Sequence, residues 1–225
     1  MQLESLDIAA CAATIESFFG ELFEDLERMR ERLTEQFTAG PVSSSLAGTV
    51  IEPLARVILE REEIVGTGFV ASPDALSDQH LYLAWWQGEN QQLLAESAAP
   101  ASGDPLDYTR HEWFRTPLRT RRRHITGPYV DFVCTDEYVV TSTMPVLVGE
   151  AMVGVVGADT LVETLETMLL PKLRQAGDRA TLVNHIGRAV ASADPHTPTG
   201  TLVDLTNVSE FLPCRGLPLS VVVPA

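Results

Sequence analysis

The sequence predicts an α+β fold: a five-stranded sheet with helices on one face, a long helix before it and a small β extension after it. Three observations predict this. An apolar stripe at helical spacing runs through residues 3–38. Farther on, "GPYVDFVCTDEYVVTSTMPVLVGEAMVGVVGADT" (127–160) reads as three strands in succession. Between the second and third strands lies a segment without strand pattern, and helical segments inserted there suit a sheet covered on one side.

The first helix rests on Ile15, Phe18, Leu22, Leu26, Met29 and Leu33, which recur at three- and four-residue steps with Glu, Asp and Arg between them. It stops at "AGPVSSS", where Gly40 and Pro41 cannot continue it. Its stripe either packs on the domain's own sheet or pairs two copies of the chain as a homodimer; the length of the helix keeps both readings open. A second helix is predicted over 44–61. The β-branched, Gly-punctuated "EIVGTGFVAS" (63–72) gives the first strand and "HLYLAWWQGE" (80–89) the second. Of the adjacent Trp85 and Trp86, alternation turns one to the core and the other outward, toward a helix or subunit contact.

"SAAPASGDPLD" (97–107) has loop composition, and 108–125 reads as short helical pieces crossing the sheet, broken near Pro117. Strands follow at roughly 127–134, 137–147 and 150–159. Thr160 and Glu163 form the capping-box pattern T-x-x-E at the start of a helix with a possible kink at Pro171 and a stop at Gly177. Two short strands around a turn, a Pro/Thr/Gly loop and a last strand, "PLSVVVPA", complete the chain.

Composition narrows the function. In 225 residues, 45% are hydrophobic, enough for a core, and the net charge of −15 argues against binding nucleic acid or an anionic membrane. The acidic start "MQLESLDIAA" has no basic leader, and no apolar run reaches the roughly 20 residues of a membrane span, so a cytoplasmic location is expected for a complete chain. Cys11, Cys134 and Cys214 have neither metal spacing nor a disulfide framework, and "HEWF" lacks the second His of a zinc site; no metal or cofactor is expected.

Asp131 and Asp159 lie near the two ends of the three-strand run, where a core would prefer apolar residues. Each has an ordinary explanation. Asp159 precedes a helix start, where the dipole favours an acid, and Asp131 suits an exposed strand end. Together with "WF" at 113–114, "GPYVD" at 127–131, "YVVTSTMPV" and "GVVGADT", however, they resemble the bacterial Cache domains, PAS-like sensors of small molecules. The resemblance covers about residues 1–175 and is strongest over 107–165. It implies a PAS-like five-stranded antiparallel sheet. It also implies an organisation of N-terminal helix (1–40), ligand-binding Cache domain (41–175) and small β extension (176–225), the last resembling a truncated second Cache unit.

In Cache domains that recognise amino acids or amines, aromatic rings and two acids surround the ligand's ammonium. The resemblance assigns these roles to Trp113, Tyr129, Asp131 and Asp159, with Tyr108, Phe114 and Thr141 beside them. The chemistry agrees: an ammonium has three donors and no acceptor, and it suits carboxylates and ring faces. The sequence departs from the family on the carboxylate side. The family's Arg two residues before the Trp is His111 here, with Arg110 next to it as a candidate clamp. A family Tyr is replaced by Leu106, and the family's Tyr after the Trp is Phe114.

The implied function is a non-catalytic sensor of a small amino acid or amine that passes its signal to a partner or to a further segment. The alternatives are a small PAS-like hydrolase, for which Cys134 has no recognisable His partner, and a dimerisation scaffold without ligand. The five Arg of "RTPLRTRRRH" are expected to form a solvated face paired with the protein's own acids.

Overall fold

The computed structural model describes residues 4–88, 90–94, 107–130 and 137–225. The chain begins with helix α1 (Glu4–Ala39) and helix α2 (Ser44–Ile58), followed by strands β1 (Ile64–Ala71), β2 (Leu83–Gln87) and the short β3 (Gln92–Leu94). A 3-10 turn at Tyr108–Arg110 leads into helix α3 (Glu112–Thr120). Strands β4 (His124–Val130), β5 (Tyr138–Val148) and β6 (Ala151–Leu161) precede helix α4 (Val162–Ala176), and β7 (Thr181–Asn184), β8 (Ala189–Ser192), β9 (Val208–Pro213) and β10 (Leu219–Pro224) end the chain.

The main sheet has six strands in the order β3-β2-β1-β6-β5-β4, one more than expected because β3 adds an edge, and a second sheet has the order β8-β7-β10-β9. The class is the expected mixture of helices and antiparallel sheet. The C-terminal extension carries four strands instead of the three expected. The additional β9 alternates half-buried and exposed residues, so half its side chains lack the apolar signature of a strand.

The chain divides into two compact units: Met1–Leu22, Ile125–Val140 and Thr160–Ala225 in one, Phe23–His124 and Thr141–Asp159 in the other. In the first unit, the turn after β9 is tied to α1 through the Arg215 amide, which donates to Glu16 Oε1 at 2.6 Å. Cys11 on α1 and Cys214 in that turn are both buried. Asn184 closes the β7–β8 turn: its side-chain oxygen accepts from the amides of Ile186 and Arg188.

In the second unit, the C-terminal part of α1 packs on β1, with Thr67 Oγ1 4.0 Å from Met29 Sδ and the Phe37 and Phe69 rings 6.3 Å apart. All six apolar residues of the α1 stripe are buried within the chain. The stripe is therefore core. Arg61 on this unit reaches Asp25 at 3.4 Å.

Three local expectations fail for identifiable reasons. Thr160 does not cap α4: β6 continues through Leu161, which holds the N-cap position without a side-chain bond, and the buried Thr160 hydroxyl finds no partner among the described residues. Strand pairing has overridden the capping pattern. Nor does Pro117 break α3, which runs through it to Thr120. Proline has no N–H to return to the carbonyl four residues back, and at Trp113 that carbonyl accepts from Thr143 Oγ1 instead, at 2.9 Å. Finally, neither tryptophan of the Trp85–Trp86 pair faces outward, since both are buried.

Candidate functional site

Strand alternation sorts the residues of the second unit onto two faces. On β1, Thr67 and Phe69 face α1, so Gly66 and Gly68 face the other side. Register pairs Gly66 with Gln87 and Gly68 with Trp85, which puts Trp85 and Gln87 on that same side. On β6, a Cβ at Gly154 would collide with Phe69 on the α1 face, whereas Gly157 points the opposite way: its Cβ would lie 3.1 Å from Thr143 Cγ2 and 3.4 Å from Trp85 Cη2. The face away from α1 therefore carries Gly66, Gly68, Trp85, Gln87, Thr143, Gly157 and, two residues along β6, Asp159.

Asp159 is 5% exposed. Its Oδ1 accepts a 2.5 Å hydrogen bond from the buried hydroxyl of Thr141. Two residues along β5, Thr143 holds the Trp113 carbonyl, so the acid's strand neighbour and the anchor of α3 share one row of β5. A carboxylate at this depth needs hydrogen-bonded or charged company, because water is excluded. The ordinary reading of Asp159 as a helix-start acid does not apply, since α4 begins three residues later.

The aromatic residues cluster around the start of α3. Trp113 is half-buried, with the Tyr108 ring at 6.3 Å and 28° and the His111 ring at 5.6 Å and 20°. Phe114 is buried and lies 5.6 Å from Tyr108. The Tyr108 hydroxyl is committed to the backbone: it donates to the Ala71 carbonyl at 2.7 Å and accepts from the Tyr82 amide at 3.0 Å. Burial pushes its phenol up from the ordinary tyrosine value. Tyr108 thus pins the turn before α3 to the ends of β1 and β2. Arg110 is 87% exposed on its side chain, and its Nε makes an ion pair of 3.0 Å with Asp107. Thr109 and Arg110 together hold the Asp107 carboxyl below the usual carboxylate range, the hydrogen bond from Thr109 contributing most.

The structure thus groups Thr141, Asp159, Trp113, Tyr108 and Phe114 in the second unit, with Arg110 at its surface. Tyr129 lies half-buried on β4, in the first unit. Asp131 lies outside the described residues, as do Leu106 and Cys134. The five arginines of 115–123 are exposed. The contacts of Arg121 and Arg123 include the Glu150 carbonyl and the face of the Phe23 ring at 4.6 Å. Among the described residues, no group of three His, Cys, Asp or Glu is placed to hold a metal ion, and no helix is long and apolar enough to cross a membrane.

Sequence reasoning did not assign Trp85, Gln87 and the glycines to the site. A signal was present: two glycines spaced by two on a strand leave a trough on one face, and a strand with paired tryptophans follows.

The model of the family described as "methyl-accepting chemotaxis protein-like, first PDC sensor domain" matches residues 51–167. No curated protein matches the chain in sequence. Among solved structures, the ligand-binding domain of the Pseudomonas fluorescens chemoreceptor CtaA in complex with L-isoleucine superposes with a TM-score of 0.66 at 14% identity, over 99% of this chain and 92% of that one. The sensory domain of the Campylobacter jejuni chemoreceptor Tlp3 with isoleucine bound gives 0.64 at 14%, over 92% and 75%. The extracellular domain of mmHK1S-Z2, described as a histidine kinase, gives 0.67 at 13%, over 100% and 98%.

The cytoplasmic placement expected from the sequence is overturned by these findings, since sensor domains of this type are extracellular or periplasmic parts of chemoreceptors and histidine kinases. Net charge and a low cysteine count do not report the side of a membrane.

Proposed function

Because the chain belongs to the family of first PDC sensor domains of methyl-accepting chemotaxis protein-like receptors, we propose that it recognises a small amino acid or amine outside the cytoplasm. In this reading Asp159 is the acceptor for the ligand's ammonium. The observation that carries it is the buried Asp159 carboxylate, held by Thr141 on the face of the sheet away from α1. An ammonium placed there gains a charge-assisted bond in a site nearly closed to water. Trp113 walls the site, and Thr143 fixes its backbone. Tyr129 and Asp131 join the ammonium side on the sequence pattern alone.

The carboxylate side is the chain's own. His111 stands where relatives in the amino-acid-binding pattern carry Arg, and its ring lies along Trp113. Arg110 would have to leave Asp107 to clamp an α-carboxylate, and an exposed ion pair of this kind costs little to break. The reading is non-catalytic: the domain senses, and its signal passes to a partner or a further segment. The neighbours solved with isoleucine and valine bound support an amino acid as the ligand class.

The test is a thermal-shift screen of amino acids, polyamines and simple carboxylates on the wild type and on Asp159→Asn. A ligand at a hundredfold above its Kd stabilises by about 2.7 kcal/mol. An ammonium compound should stabilise the wild type and lose most of that effect on the variant. A hit among plain carboxylates that the variant retains overturns the reading.

A further inference from the structure

On the face that carries Asp159, the indole of Trp85 lies across a trough made by glycine. A Cβ on Gly66 would overlap Trp85 Nε1, and one on Gly157 would sit 3.4 Å from Cη2 at the far end of the ring. The ring therefore spans from β1 to β6, the strand of Asp159. Its tip is beside the Gly157 position that also contacts Thr143, and Asp159 is two residues, about 7 Å, farther along.

Trp85 is 6% exposed, and its Nε1 donor finds no partner among the described residues. The same is true of the buried acceptor Gln87 Oε1, on the register partner of Gly66. An unmet donor and an unmet acceptor thus lie on one face, near one glycine. Buried polar groups in folded proteins are nearly always paired, so a site of this kind calls for a complementary group.

We propose that Trp85 determines the specificity of the site: its Nε1–H, with Gln87 Oε1, recognises a hydroxyl or carboxamide on the side chain of the ammonium-bearing ligand. The inference rests on the reading of Asp159 as the ammonium acceptor. A hydroxyl or a carboxamide both accepts and donates, so either satisfies both protein atoms at once. An aliphatic side chain would leave both unmet. The indole also fills the trough at Gly66 and Gly157, which limits the ligand to a short side chain. The chain is thereby set apart from the neighbours solved with isoleucine and valine.

The test uses two pairs of near-isosteric probes, L-threonine against L-valine and L-asparagine against L-leucine, measured by calorimetry on the full chain. The wild type should bind the polar member of at least one pair more than tenfold tighter, because a site built to hydrogen-bond a group rejects the analogue that lacks it. Trp85→Phe keeps a ring and removes the N–H, and should bring that preference close to parity. Gly66→Ala, which pushes the indole aside, should do the same and serves if Trp85→Phe does not fold.

Equal or tighter binding of valine and leucine by the wild type, still weakened by Asp159→Asn, overturns the inference and leaves the ammonium reading standing. A preference that survives Trp85→Phe also overturns it. If none of the four probes and no other amine binds, the ammonium reading fails and the inference falls with it.

Discussion

Asp159→Asn separates a sensing carboxylate from a structural one. The substitution keeps the shape and keeps an oxygen that can accept from Thr141 Oγ1, now 2.5 Å from Oδ1. What it removes is the negative charge. At 5% exposure, solvent screens that charge little. A charge-assisted hydrogen bond contributes about 1.5–3 kcal/mol, so an ammonium ligand should bind roughly ten- to 150-fold more weakly. Without ligand, the variant keeps an acceptor for the Thr141 hydroxyl, so its loss of stability should be small beside its loss of affinity. Titration calorimetry with the best amine from the screen, paired with differential scanning calorimetry of the ligand-free proteins, reads both quantities. Unchanged affinity together with a melting temperature lowered by many degrees would refute the argument, because it would make Asp159 a structural residue.

Other variants test the supporting parts. Tyr108→Phe removes a buried hydroxyl that joins the Ala71 carbonyl and the Tyr82 amide; stability should fall by about 1–3 kcal/mol, seen as a lower denaturant midpoint, with the ranking of ligands unchanged. Arg110→Ala should leave the ligand-free melting temperature within about a degree, since the side chain is 87% exposed. Calorimetry on that variant should show weaker binding only for ligands with an α-carboxylate. Burial pushes the Cys11 thiol up to about 11 and Cys214 up to about 12. Both should therefore resist iodoacetamide at neutral pH until the protein is unfolded, as counted by intact mass. Because these folded values lie above the ordinary thiol value, their stabilising contribution is complete below about pH 9 and is lost as pH rises toward 11–12; alkaline melting curves on Cys11→Ser and Cys214→Ser should show a smaller drop across that window than the wild type.

The parts legible in the sequence were those governed by periodicity. The α1 stripe, the β-rich run from 127 to 160 and the stop at Gly177 follow from spacing and from residues that fit only one backbone. Asp159 was legible as a candidate because an acid at the end of an apolar strand is unusual. The failures come where tertiary context competes with a local rule. The T-x-x-E pattern at Thr160 names a cap, but the pairing of β6 extends past it. Alternation at Trp85 and Trp86 predicts one outward face, but the sheet is covered on both sides at that point. Pro117 reads as a break, yet the carbonyl it deprives is supplied by Thr143, thirty residues away in sequence, which no local pattern reveals. Charge likewise misled on location, because acidity excludes polyanionic partners without naming a compartment.

The glycines of the site face explain why the site could not be read from its acids alone. Glycine inside a strand weakens it, since it gives up side-chain packing and fixes a more flexible backbone. Gly66 and Gly68 on β1 and Gly157 on β6 nevertheless sit on the face opposite α1, and beside them lies one large ring. Alanine at Gly68 would overlap the Ala84 carbonyl, so that position reflects close backbone approach. At Gly66, by contrast, the nearest atoms all belong to the Trp85 side chain, and at Gly157 the Ser142 carbonyl and Thr143 Cγ2 come closer than Trp85 Cη2. Apolar β-branched residues at these two positions would make a better strand and a filled face. At Gly66 that absence goes with the tryptophan that uses the space, and at Gly157 with the Ser142 carbonyl 3.0 Å from where a Cβ would sit; the indole donor, without a partner among the described residues, lies on the same face as Asp159 and Thr141. The property under test is thus a set of residues on four strands, with weak individual signals, whose shared face becomes visible only once the register between β1 and β2 is known.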